Sequence, residues 1–429
     1  MSAPAPTIPT LASESSPPSH FSFTRSLGWA VYLGVSWTWC IGMFLPALLV
    51  RDYGLYGFLV FALPNVLGAA AMGWVLRRAG AITILTQHRA AVLLFSVVTI
   101  AFQAWFLISA HAWFAPHSAQ SHDSVLTAVT LPNLQHTLAS VPLASLLFVL
   151  ALILLAFRRT ILFAAPAAWL ASFCCIVVLF QGTDFPQSIA SLRQDNSLFG
   201  SGPLLSLAPV CAFGFLLCPY LDATFLRARA STTDAESRLG FSLGFGVFFF
   251  AMILFTLGYS ALLVADRPAL ATLTIITLHI LGQLLFTIAV HTIELFRLAR
   301  GRALLTILLT TAALALLARF AIPLAMPLTA SLGVTIQPFE IIYRLFLSFY
   351  GLVFPAYVWL CMIPTRDGHH GRRRDKLLTL AAAIGLAAPF FYMGFIERQT
   401  AYLGPGLLII LLARLIVRAL AKPPNPRTA

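Results

Sequence analysis

Apolar residues gather in this chain into long runs, each near the roughly 20 residues that a helix rising about 1.5 Å per residue needs to cross a bilayer. Twelve runs are predicted as transmembrane helices, at 27–50, 55–76, 90–110, 138–157, 161–181, 203–221, 240–264, 269–296, 303–326, 339–362, 377–396 and 402–420. The loops between them are too short for a soluble domain, which needs about 50 residues. The expected organisation is a disordered tail over 1–24, a transmembrane domain over 25–421 and a short tail over 422–429. Within the domain, a core covers 27–362 and two extra helices occupy 377–420.

The first run departs from a plain anchor. Its middle reads Ser36, Trp37, Trp39, Cys40, Ile41, Gly42, Met43 and Phe44, followed by Pro46. Gly and Pro loosen a helix, and inside lipid the freed backbone groups must be satisfied by protein, water or a bound solute. An interrupted span is therefore a candidate binding site, although small residues also serve close helix packing and a proline can simply kink a span. The sixth run repeats the pattern: Pro209, Gly214 and Pro219 interrupt it, with Phe213 beside Gly214, and Cys218, Tyr220 and Asp222 close it. Two broken spans five helices apart are what an inverted repeat of five helices produces when it crosses at a midplane site.

Composition fixes the class. At 59% hydrophobic and 10% charged, with a mean hydropathy of +0.89, the chain lies far from a soluble protein, which is about 45–50% apolar and 25% charged. The net charge of +13 comes from topology, with no nucleic-acid partner implied. Four of the 27 Lys and Arg residues, Arg51, Arg193, Arg267 and Arg398, fall in odd-to-even loops, while 21 fall on the opposite side, among them Arg77, Arg78, Arg227, Arg229, Arg297 and Arg373. By the positive-inside rule this predicts cytoplasmic amino and carboxyl termini in a multi-pass inner or plasma membrane protein. All six cysteines lie in apolar runs and read as small core residues rather than disulfides. Residues 1–24 lack the basic start and short apolar core of a signal peptide.

Candidate chemistry lies inside the spans. On the eighth, His279, Gln283, Thr287 and His291 recur every four residues and line one slowly drifting helix face, with Glu294 a turn further. Ionisable groups at such depth face a cavity or a partner. Histidine changes charge near neutral pH, so the stripe is a candidate route for ion or proton coupling, against the plainer reading of helix-to-helix hydrogen bonds. Arg319, mid-span, demands an acceptor, and Glu340 and Arg344, four apart, are expected to pair along their helix. The loop 111–137 carries His111, His117, His122, Asp123 and His136 without a ligand spacing, so no metal site and no cofactor are expected.

The stretch VSWTWCIGMFLPALLVRDYGLYGFLVFALPNVLGAAAMGWVLRRAGAITILTQHR resembles the first two core helices of the sodium:solute symporter family and its relatives with the LeuT-type fold of the APC superfamily. There, a small-residue break is followed by a Gly-x-x-Gly turn (Gly54 and Gly57), a Gly-rich second helix and a short basic loop (Arg77, Arg78, Gly80, Thr83). LLCPYLDATFLRARASTTDAESR is similar to the end of core helix six in that family. The resemblance covers residues 30–90 and 205–240 and implies a 5+5 inverted-repeat core plus two carboxy-terminal helices. It further implies a small solute held by Trp37, Trp39, Cys40, Ile41, Gly42 and Met43 facing Phe213 and Gly214, with a cation bracketed by helices one and eight. Sodium-coupled members carry paired hydroxyls on helix eight, where this chain has Thr287 amid His279, Gln283 and His291. Sodium, a proton or no coupling all stay open.

The expected function is secondary active transport of a small organic solute by alternating access. The segment GWVLRRAG also echoes the signature of the major facilitator type, with Arg77 where its Asp belongs. From other classes come a membrane-embedded enzyme, such as a lipid-linked transferase using His279, His291 and Glu294 or Asp222 as acid and base, and a transporter-like sensor. The bilayer and a small solute are the partners implied; no oligomeric state is.

Overall fold

The computed structural model describes residues 20–109, 161–194, 201–264, 270–332, 336–364 and 373–420. The fourth expected span, the histidine-bearing loop 111–137, most of the amino-terminal tail and the last nine residues lie outside them, as does the side chain of Arg319.

Among the described residues every regular element is helical. In order these are α1 (Phe23–Trp37), α2 (Cys40–Val75), α3 (Arg78–Gln87), α4 (Arg89–Ser109), α5 (Ile161–Phe180), α6 (Asp184–Gln194) and α7 (Ser201–Leu217). A 3-10 turn, Cys218–Leu221, leads to α8 (Ala223–Ala230). Then come α9 (Asp234–Leu243), continued by the π-helical stretch Gly244–Phe249 into α10 (Phe250–Val264), α11 (Leu270–Leu298), α12 (Gly301–Leu332) and α13 (Pro338–Ser348). The last runs on through Met362 with two further π-helical stretches. The chain closes with α15 (Arg373–Phe395) and α16 (Leu403–Leu420), α14 being the short piece Phe354–Tyr357 between the π-helical stretches. Ten of the described helices are long and apolar enough to cross a membrane; one of them, Cys40–Val75, covers parts of the first two apolar runs of the sequence.

The first broken span is built differently from the expectation. Gly42 and Pro46 sit within α2, and the break falls before them, at Thr38 and Trp39, where Trp39 is extended at φ −94°, ψ −179°. The cause lies in the preceding hydroxyls. Ser36 Oγ donates to the Leu33 carbonyl at 3.1 Å and Thr38 Oγ1 to that of Gly34 at 2.7 Å. The Trp39 indole N–H donates to Ser36 O, so carbonyls orphaned by the end of α1 are satisfied without water. Pro46, lacking an N–H, leaves the Gly42 carbonyl without its intrahelical donor. Further on, Gly54 at φ 65°, ψ −161° is the one non-helical residue of α2 and divides it into two legs, the first completing span one and the second forming span two. Only glycine takes that conformation without strain.

In the sixth span Pro209 and Gly214 likewise lie inside α7, and the break is at Cys218–Leu221 around Pro219. Asp222 restarts the helix by accepting from the Thr224 amide at 2.7 Å, an N-cap. Thr233 and Glu236 form a capping box that starts α9. Glu236 also accepts from the Ser22 amide at 3.0 Å and pairs with Arg25 at 3.4 Å, so α1 begins two residues inside the segment read as tail.

Packing sets the breaks against each other. The second leg of α2 packs along α7, α10 along the first leg, and α11 between α4 and α5. Glycines permit the close approaches: a Cβ on Gly68 would lie 2.4 Å from the Phe215 carbonyl oxygen, and one on Gly34 2.9 Å from that of Gly244.

Outside the spans, between α3 and α4, His88 places Nδ1 3.0 Å from the Tyr357 hydroxyl. Burial, with Lys376 and Arg373 nearby, holds its imidazole below the ordinary pKa. Above about pH 6.5 the ring is neutral folded or unfolded. As pH falls the unfolded chain takes the proton first, and stability is lost down to the folded pKa. His88→Gln is therefore expected to flatten the acid-side fall of the thermal midpoint between about pH 7 and pH 5; a slope equal to wild type would assign that fall to other groups.

Candidate functional site

The break in span one is held by side chains from four other elements. The Trp37 indole donates to Asn65 Oδ1 on the second leg of α2 at 2.6 Å. The Cys40 amide donates to Gln103 Oε1 on α4 at 3.3 Å, and its carbonyl accepts from the Tyr343 hydroxyl at 2.9 Å. The Met43 carbonyl accepts from Tyr259 of α10 at 2.9 Å. Trp37 and Trp39 lie 4.5 Å apart between ring centroids, and Trp39 meets Phe95, Tyr350 and His291 at 5.6, 5.4 and 5.7 Å. Backbone released from a helix is thus secured by polar groups that cost little when paired and much when not.

Both breaks border one cavity of about 10 Å³, lined by Trp37, Trp39, Ile41, Gly42, Asn65, Phe215, Cys218 and Tyr350, space on the scale of a single water. A second cavity of about 70 Å³ shares Ile41, Phe215 and Tyr350 with it and extends past Leu45, Leu49, Cys211 and Gly214 to Tyr53 and Arg344. Its lining is mostly apolar, as in small-molecule sites.

The sequence-derived residues divide accordingly. Trp37, Trp39, Ile41 and Gly42 line the smaller cavity, and Ile41 and Gly214 the larger. Cys40 and Met43 contribute backbone carbonyls to hydrogen bonds with tyrosines. Ser36 is buried against Thr224, the two hydroxyl oxygens 3.4 Å apart. Phe44 points into an aromatic cluster with Phe106 and Tyr343 at 5.5 and 5.0 Å. Phe213 does not reach either cavity: it packs on Trp359 at 6.3 Å, and Phe215, two residues or about 200° round the helix, takes the place expected for it.

The stripe on α11 is fully buried: His279, Gln283, Thr287, His291 and Glu294 are all at most 1% exposed. A four-residue repeat advances about 40° per step, so its ends meet different neighbours. His279 Nδ1 lies 2.8 Å from Ser172 Oγ of α5, to which Gln283 also donates at 2.8 Å. His291 Nδ1 lies 3.3 Å from Ser96 Oγ of α4, and its Nε2 is 3.8 Å from Asp222 Oδ2. Glu294 is ion-paired with Arg227 at 3.4 Å and with Arg297. The stripe is a buried seam whose end at His279 and Gln283 joins α5 and whose end at His291 reaches the second break.

Asn65, Gln103, Phe215, Thr224 and Tyr350 are site residues that sequence reasoning missed; Asn65 and Gln103, single amides in apolar runs, are the two that carried a signal. Among the described residues no group of three or more His, Cys, Asp or Glu is placed to hold a metal ion.

A second polar cluster closes the larger cavity. Arg51 grips Glu340 with two bonds of 2.8 Å, and Arg344 donates to Glu340 and to Asp52 at 2.8 Å each. Arg398, from the loop after α15, donates to Asp52 at 2.8 Å. The expected Glu340–Arg344 pair is present within this larger network.

These features define an α-helical polytopic protein of membranes. No protein-family model matches the chain, and no curated protein matches it significantly.

Proposed function

We propose that the chain is a secondary active transporter that carries a small organic solute by alternating access, in the manner of transporters whose substrate sites are built from discontinuous helices. One observation carries the reading: two spans lose regular hydrogen bonding, at Thr38–Trp39 and at Cys218–Leu221, and both breaks border the same aromatic-walled cavity. The resemblance to sodium:solute symporters, with its five-helix inverted repeat, supports the same reading. The clustering of basic residues supports a cytoplasmic placement of the α3 and α8 ends, with both termini; the cavity of about 70 Å³ then lies towards the outer face, beneath the Asp52–Glu340 cluster. Asp222 and His291 stand close enough for acid–base work, but both are completely buried, which favours a service inside the protein over reaction with a lipid-linked substrate.

The test is thermal stability of the protein in lipid nanodiscs against a panel of small solutes, each with sodium, potassium or a pH step. A ligand of the folded state raises the midpoint, by about 2.7 kcal/mol in stability at a hundredfold excess over Kd. One solute class is expected to stabilise wild type, to exchange across proteoliposomes in counterflow, and to lose both effects in Trp37→Ala. Stabilisation unaltered in that variant would move the site elsewhere, and binding without counterflow would make the protein a sensor.

A further inference from the structure

Asp222 is half satisfied. Its Oδ1 accepts from the Thr224 amide at 2.7 Å and from the Thr224 hydroxyl at 2.6 Å. Its Oδ2 makes no hydrogen bond among the described residues, and neither does His291 Nε2, 3.8 Å away. Both side chains are at 0% exposure. Two buried polar atoms without a partner are costly, most of all while one belongs to an ionised carboxylate.

Among the described residues, the surroundings offer that carboxylate no free cation. Tyr32 of α1 and Tyr350 of the π-helical stretch after α13 face it and carry no charge to give. From α11 comes Glu294, of the same sign, and the Arg227 of α8 that approaches from the same side is paired with Glu294, as is Arg297. Cys218 donates instead to the Tyr350 carbonyl at 3.1 Å. On α4, Ser96 meets the far nitrogen of His291. The edge of Trp39 separates His291 from the cavity at the helix breaks, with centroids 5.7 Å apart.

We propose that Asp222 and His291 form a proton-binding pair at the second helix break and that, on the transporter reading above, the proton is the coupling ion. On loading, a hydronium ion gives up a proton, its O–H bond breaking as one forms at Asp222 Oδ2, which cancels the carboxylate charge and leaves water. The O–H then donates to the Nε2 lone pair of neutral His291, whose Nδ1–H donates to Ser96 Oγ. Closing from 3.8 Å to hydrogen-bond distance takes a movement of about 1 Å. On release that O–H bond breaks, an N–H bond forms at Nε2, and the imidazolium gives the proton to water when the broken segments part. Because Asp222 ends the second break while His291 rides on the continuous helix α11, rocking of the broken segment against α11 opens and closes the pair.

The test needs no solute. Protein in nanodiscs is titrated from about pH 5 to about pH 9 while infrared difference spectra follow the C=O stretch of protonated carboxyls. A buried-carboxyl band that titrates in this range, vanishes in Asp222→Asn and shifts in frequency in both His291→Gln and Ser96→Ala is the expected result. The Ser96 variant covers the case in which the His291 variant fails to fold. A wild-type spectrum with no such band, or a band retained in Asp222→Asn, overturns the proposal. A band abolished by sodium at constant pH, and not by potassium, also overturns it and puts a metal cation in the site. A titrating band without counterflow of any solute leaves the pair standing and removes the transport reading; counterflow without the band does the reverse.

Discussion

Replacing Arg344 by Met is expected to destabilise the protein by about 2–3 kcal/mol, the cost of taking charge-assisted hydrogen bonds from two buried carboxylates. Asp52 and Glu340 are each only 1% exposed, and both Arg344 and Arg51 bridge them; Arg344, at 10% exposure against 27% for Arg51, is the more deeply placed of the two. It also donates to the Phe395 carbonyl at 2.9 Å. In the variant Arg51 stays attached to both acids and Arg398 to Asp52, but they lie nearer solvent, where screening weakens what they can repay. Unfolding midpoints in mixed micelles provide the measurement. The double variant Arg344→Met, Glu340→Met should lose less than the sum of the single changes, because it removes an acid together with its partner. A loss below about 1 kcal/mol for the single variant would reduce the cluster to an ordinary surface network.

Gly68→Val is expected to cost roughly 2–3 kcal/mol by overpacking. Pro219 has no N–H to offer the Phe215 carbonyl four residues back, and it is this oxygen that a Gly68 Cβ would approach to 2.4 Å, with the Leu216 Cα at 3.0 Å. Every nearby atom is backbone, so no rotamer change relieves the contact, and the second leg of α2 and α7 must separate. Their separation would widen the cavity that both border through Asn65 and Phe215. Gly282→Val on α11 is the control, since nothing lies within 4 Å of a Cβ built there. Equal midpoints for the two variants would show that the α2–α7 contact is not limiting.

The spans were legible because a bilayer imposes length and apolarity on any segment that crosses it, and those are properties of single stretches. The breaks were legible only to within a few residues. Counting Gly and Pro pointed to Gly42 and Pro46, whereas the chain parts at Thr38 and Trp39, where the Ser36 and Thr38 hydroxyls take the carbonyls that end α1. Glu340 and Arg344 were readable as a pair because helical geometry brings residues four apart together. Arg51, Asp52 and Arg398 could not be joined to them, since those contacts depend on how distant helices lie. The same holds for Asp222 and His291, each conspicuous alone, whose meeting follows from α8 and α11 packing at the second break. Phe215 was overlooked in favour of Phe213 because an apolar helix gives no sign of which aromatic faces inward.

The network at Asp52 also bears on how the chain is made. Arg51 and Asp52 leave the ribosome early, at the end of the first hairpin's leading leg, yet their partners follow much later: Glu340 is 289 positions on, Arg344 292 positions from Asp52, and Arg398 346. Until those residues are inserted, the two early charges have each other and whatever water or lipid headgroups surround them. The final pair of helices, joined by the loop that carries Arg398, thus acts as the clasp of biogenesis, and the first hairpin takes its finished place only when the last one arrives.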